Sequence, residues 1–195
     1  MGNEKLASDL ARMVGVVVPL VEFDRIEGKD GLWAVSKAHG ETSIDATMLR
    51  EQIKEHFKAP EVQESFRAAS GLVAFYAWIG TTDLKDDHLC LAARAAGGYE
   101  VVGVDFEMSF CWHEIDGGQV ESPGIAPAML TNIDKRAVQA TVVAIESAAD
   151  QQIREMVGSL PETVANEAEK TRLADGLIGR KKKVRDRMRA LGWLD

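Results

Sequence analysis

Trp78-Ile79-Gly80-Thr81-Thr82-Asp83-Leu84-Lys85-Asp86-Asp87-His88-Leu89-Cys90-Leu91, completed by Val104-Asp105-Phe106-Glu107, is the stretch on which the fold of this chain turns. It is apolar up to Gly80, a residue suited to the left-handed turn that ends a helix. A polar run from Thr81 to Asp87 then reads as a loop. Residues 88–94 and 99–105 read as strands, and Gly97-Gly98 between them supplies the positive φ angles of a tight hairpin. The order is helix, polar loop, hairpin, and a second carboxylate where the hairpin ends. Alone, Asp83 reads as a turn-capping residue and Asp105 as a strand-end residue. Chemistry enters through their combination with His88.

Outward from this centre the pattern is α+β. Residues 43–57 and 60–79 read as helices, the second carrying Val62, Phe66, Val73 and Trp78. Before them, Leu6, Leu10, Met13 and Val14 recur at helical spacing, with Asn3 as N-cap and Gly15 as the stop. Residues 16–23 and 32–36 read as strands around a turn at 27–31, and Pro19 suggests an edge position. One helix and two strands make a thin layer that cannot close a core by itself. Beyond the hairpin, residues 106–133 read as irregular. Helices follow at 134–149, 150–157 and 162–191, the last interrupted by Gly176 and Gly179. The expected division is a small layer over residues 1–40 and a helical body over 41–195.

Composition narrows the function classes. The chain has 195 residues, 46% hydrophobic and 28% charged, with a net charge of −8, which opposes broad contact with nucleic acid. The basic run from Arg180 to Arg189 reads as a solvated helix face beside the apolar stripe Leu173, Leu177, Val184, Met188 and Leu191. The longest apolar stretches, 14–21 and 71–79, fall short of a membrane span, so no membrane partner is expected. No basic region followed by an apolar one opens the sequence, and Cys90 and Cys111 lack paired spacing. Both point to a cytoplasmic protein with reduced thiols.

The loop and hairpin resemble the catalytic segment of protein kinases. There an Asp is followed by Leu, three variable residues and Asn, and an Asp-Phe-Gly comes later. Here Asp83-Leu84 precede Lys85-Asp86-Asp87, His88 takes the Asn place, and Asp105-Phe106-Glu107 takes that of Asp-Phe-Gly. The chain as a whole is similar to HipA-like kinases, relatives of the phosphatidylinositol-kinase group. Residues 3–11 followed by Gly15 and Pro19 resemble that family's helix before its late N-lobe strands. Residues 78–83 resemble its run into the catalytic loop, and Leu173, Arg180, Arg187 and Leu191 its C-terminal helices. The resemblance covers nearly the whole chain.

It implies a protein-kinase-like C-lobe with an incomplete N-lobe, transferring the γ-phosphate of ATP to a hydroxyl with the help of Mg²⁺ or Mn²⁺. Asp83 would orient the acceptor hydroxyl, Lys85 would neutralise charge on the γ-phosphate, and His88 and Asp105 would hold the metal. Glu4 would partner a phosphate-binding lysine, and Trp33, Ala34 and Val35 would form the hinge strand that meets adenine.

The departures are equally specific. No Gly-rich loop and no strand lysine precede the first helix within this sequence. His88 replaces an amide, and imidazole suits Mn²⁺ and later metals better than Mg²⁺. Glu107 replaces glycine. Three readings stay open: a truncated kinase, a kinase whose N-lobe comes from a partner protein, and a non-catalytic pseudokinase that binds a partner. Plain readings stand beside the sharp ones. Asp86 and Asp87 read as solvated loop carboxylates, His88 as their partner, and Glu4 as a first-turn carboxylate favoured by the helix dipole.

Overall fold

The computed structural model describes residues 2–36, 43–81, 84–107, 109, 110, 120, 126–130 and 133–195. Helix α1 (Gly2–Val14) turns Leu6, Ala7, Leu10, Ala11 and Val14 inward at helical spacing, and Gly15 ends it at φ +73°. Asn3 lies within α1, so its expected N-cap role is replaced by a tertiary one described below. The following segment crosses to the later hairpin, where the Val17 carbonyl accepts the Gly103 amide. Ser8 in α1 donates its hydroxyl to the Pro19 carbonyl and accepts the Val21 amide, which fixes where strand β1 (Val21–Asp24) begins. Residues 16–20 of the expected strand therefore lie outside β1, as a proline without an N–H would favour. Strand β2 (Trp33–Ser36) returns antiparallel, with Val21 opposite Ser36 and Asp24 opposite Trp33.

The helix expected at 43–57 is instead a strand and two short helices. Strand β3 (Ser43–Asp45) pairs antiparallel with β4, and Asp45 caps helix α2 (Ala46–Glu51) by accepting the Met48 amide. An N-cap residue has extended backbone, so everything before it is free to join a sheet. Helix α3 (Lys54–Phe57) follows. The single helix expected at 60–79 is two, α4 (Pro60–Ala68) and α5 (Gly71–Ile79).

The break has a packing cause. The Ser70 hydroxyl accepts the Asp134 amide, and a Cβ on Gly71 would stand 2.1 Å from the Thr141 hydroxyl. The close approach of a distant helix thus decides where α5 starts. Every residue of α5 is buried, so it forms the axis of the core, as expected for a helix apolar all round.

Asp86–His88 form a short 3₁₀ turn before strands β4 (Leu89–Ala93) and β5 (Tyr99–Gly103). Their sheet order is β3-β4-β5, and Gly97 and Gly98 both take positive φ in the hairpin turn. The helical remainder comprises α6 (Pro127–Leu130), α7 (Lys135–Ser147), α8 (Asp150–Gly158), α9 (Glu167–Lys181) and α10 (Val184–Ala190). Gly176 and Gly179 lie inside an unbroken α9. The expected interruption falls instead at Lys182-Lys183, where the Lys183 amide tightens onto the Arg180 carbonyl.

The basic run is a solvated face only in part: Lys182, Lys183 and Arg189 are exposed. Arg180 and Lys181 are buried, Lys181 binds the Ala148 carbonyl and Asp150, and Arg185 grips both oxygens of Glu146. Among the described residues no helix is long and apolar enough to cross a membrane.

Candidate active site

The last turn of α5 leaves carbonyls that an α-helix cannot satisfy internally. Here each has a donor. Tyr76 receives the amides of Gly80 and Thr81, Ala77 and Trp78 receive the Arg180 guanidinium at 2.7 and 2.8 Å, and Ile79 receives the Phe110 amide at 2.9 Å. Gly80 at φ +77° then turns the chain into the polar loop. Asp83 lies outside the described residues. Leu84 is buried and Lys85 is exposed. Asp86, expected to be solvated, is 4% exposed, and its carboxylate takes the Arg50 guanidinium at 2.5 Å and the Ala128 amide at 2.8 Å. It braces α2 and α6 against the loop, a role a sequence neighbour cannot announce. Asp87 is exposed as expected.

His88 and Asp105 meet where the hairpin opens. The His88 carbonyl accepts the Val104 amide, which brings the two residues side by side. His88 Nε2 stands 3.7 Å from Asp105 Oδ2 and 3.7 Å from Asp87 Oδ1, while its buried Nδ1 has no partner among the described residues. A separation of 3.7 Å exceeds a hydrogen bond. It is within the span of two donors sharing one cation at roughly 2.1 Å each. A nitrogen and a carboxylate so placed fit Mn²⁺ better than Mg²⁺. Among the described residues no group of three or more His, Cys, Asp or Glu forms a metal cluster.

Asp105 takes φ +60°, rare for a residue with a Cβ. The next amide, that of Phe106, is donated to Glu4 Oε1 at 2.7 Å, which places the α1 carboxylate beside the hairpin end. Burial raises the Glu4 pKa, the Phe106 bond opposes that shift, and the charge of Asp105 reinforces it. Val104 is held from the other side, where the Tyr76 hydroxyl donates to its carbonyl at 3.1 Å. Close approach of β5 to α5 at this point requires Gly103, whose Cβ would stand 2.8 Å from Leu72 Cδ2.

A cavity of about 200 Å³ opens here, lined by Glu4, Val21, Ser36, Asp105 and Phe106 among others. Strand β2 enters this lining through Ser36, next to Val35. Trp33 stands at the opposite end of β2, and its indole donates to the Asp30 carbonyl.

The structure thus sets His88 near Asp87 and Asp105, brings Glu4 to the amide that follows Asp105, and leaves Lys85 on the exposed loop. Sequence reasoning missed Arg180, Asn3 and Asp86. For Arg180 a signal existed, because it falls between Leu177 and Val184 on the very stripe that was read as apolar. Asn3 carried no such signal, since its partners lie more than a hundred positions away.

No family model matches the sequence, and no curated protein matches it. In fold, the chain is similar to the crystal structure of a proinflammatory kinase of Helicobacter pylori, CtkA. The TM-score is 0.65 at 13% identity, covering 94% of this chain and 80% of that one. The likeness is one of fold: this chain has a mixed α+β, kinase-like architecture, mainly helical with a small β layer.

Proposed function

We propose that this chain is a phosphotransferase domain of HipA-like type, binding ATP with Mn²⁺ or Mg²⁺ and transferring its γ-phosphate to a hydroxyl. The observation that carries the reading is Asp105, set 3.7 Å from His88 and lining one cavity with Glu4, on a fold similar to a kinase. His88 and Asp105 would hold the metal, which when bound supplies charge neutralisation on the phosphates. Asp83 orients the acceptor hydroxyl and accepts its proton as the new bond forms. Lys85 offers a cation from the loop toward the γ-phosphate. Trp33, Ala34 and Val35 shape the approach of the adenine along β2, and Glu4 awaits a cation that neutralises the inner phosphates.

A non-catalytic module is the second reading. It is favoured by the charge of the cavity, whose described lining includes the carboxylates of Glu4 and Asp105 and no lysine or arginine.

Calorimetric titration with ATP and each metal, joined to a phosphoryl-transfer assay, tests the proposal. The expected result is metal-dependent nucleotide binding that prefers Mn²⁺, is lost in Asp105→Ala, and moves toward Mg²⁺ in His88→Asn. Binding without turnover selects the non-catalytic module. No nucleotide binding with either metal removes the phosphotransferase and leaves the non-catalytic module.

A further inference from the structure

Two residues with a Cβ take positive φ among the described residues, Asp105 at +60° and Phe110 at +71°, and they bracket one short segment. Backbone in such conformations persists only where its surroundings hold it. Part of the hold is already described: the Phe106 amide on Glu4 and the Phe110 amide on the Ile79 carbonyl. Within the segment the Ser109 amide bonds the Phe106 carbonyl, and the Ser109 and Thr81 hydroxyls lie 2.5 Å apart. Neither contact reaches the carbonyls that point back toward α1.

Those carbonyls are taken by Asn3. Its side-chain amide donates to the Glu107 carbonyl at 2.5 Å and to the Ser109 carbonyl at 2.9 Å, across 104 and 106 positions of sequence. Asn3 is 8% and Ser109 1% exposed, so water offers the Ser109 carbonyl little substitute, while the bond to the Glu107 carbonyl is part-buried. An amide nitrogen has two hydrogens, and one rigid side chain can therefore fix the spacing of two acceptors. It does so immediately after Asp105, from the same helical turn that presents Glu4.

We propose that Asn3 is the positioning residue for Asp105: through the Glu107 and Ser109 carbonyls it clamps the backbone between the strained Asp105 and Phe110 to the first turn of α1, and so holds the metal-facing carboxylate toward His88. What Asp105 is positioned for rests on the phosphotransfer reading. That Asn3 holds the segment does not.

Three variants of the full chain separate these claims. Asn3→Asp keeps the shape but turns an acceptor toward two carbonyls, Asn3→Ala removes the group, and Asn3→Gln keeps the amide on a longer arm. Amide hydrogen exchange is measured at Phe106, Ser109 and Phe110, with α5 and α7 as internal references. Asn3→Asp and Asn3→Ala accelerate exchange at the three amides about tenfold or more, for two lost hydrogen bonds, and leave α5 and α7 unchanged. Asn3→Gln recovers part of the protection. With ADP as probe, the apparent Mn²⁺ affinity falls by about tenfold in Asn3→Asp, while ADP affinity without metal is unchanged.

Unchanged exchange at Phe106, Ser109 and Phe110 overturns the proposal. So does uniform acceleration over the whole chain, or failure of all three variants to fold, since Asn3 would then support the fold rather than the segment. Absence of metal-dependent ADP binding in the unsubstituted chain overturns the phosphotransfer reading instead, and the exchange comparison still decides the role of Asn3.

Discussion

Glu4 combines a half-buried carboxyl, a backbone donor and a neighbouring carboxylate, and the three set its proton affinity in opposing directions. Burial dominates, so its pKa lies above the ordinary value of 4.5. The folded chain then binds this proton more tightly than the unfolded chain. Its contribution to stability is complete below the ordinary value and is lost as pH rises through the raised one. Glu4→Gln keeps an oxygen for the Phe106 amide and has no proton to lose. Urea unfolding at a series of pH values should therefore show the two proteins differing least in acid. The variant gains on the wild type as pH rises from about 4.5, then keeps a constant advantage. A difference independent of pH would mean that Glu4 is not perturbed. At this scale the sequence was informative about identity and silent about environment. Glu4, His88 and Asp105 were nameable from their places around a loop and a hairpin. Asp86 looked like its neighbour Asp87, and only the arrival of Arg50 and Ala128 makes it a buried brace.

Elements show the same division between local and distant causes. The β4–β5 hairpin was legible because Gly97 and Gly98 carry their own turn geometry. Strand β3 was not, because three residues before a helix have no period of their own and owe their conformation to β4. Nor was the break before α5, whose reasons are Asp134 and Thr141 in and beside α7. The C-terminal end of α5 is the element boundary closest to the candidate site, and Arg180 of α9 holds it through the Ala77 and Trp78 carbonyls. A return contact exists, with the Trp78 indole donating to the Leu177 carbonyl at 3.0 Å. Arg180→Met should leave two buried acceptors without donors and cost on the order of 2–4 kcal/mol, measured by chemical denaturation with the slope unchanged. A loss under about 0.5 kcal/mol would show that the helix end is held by other means.

Across the whole molecule, burial is uneven. Helix α5 is enclosed along its full length and packs against α7 and α9. The β1–β2 sheet buries Val21 and leaves Trp33 exposed, as is Ile26 in the connection between the strands. Native-state hydrogen exchange should accordingly find the slowest amides in α5 and α7 and the fastest paired ones in β1 and β2. Equal protection in both regions would contradict a core centred on α5. The overall α+β class was readable because long apolar periods and glycine turns are local, whereas the joining of α1 to the hairpin end is not.

That joining has a consequence for how the chain is made. Asn3 waits for Ser109, 106 positions behind it, and Ala77 likewise waits for Arg180, 103 positions behind it. During synthesis at about 5–20 residues per second, the opening residues leave the ribosome seconds before the partners that complete the site exist. A nascent chain released before α9 has emerged would therefore carry every proposed catalytic side chain and still lack the anchor at the end of α5.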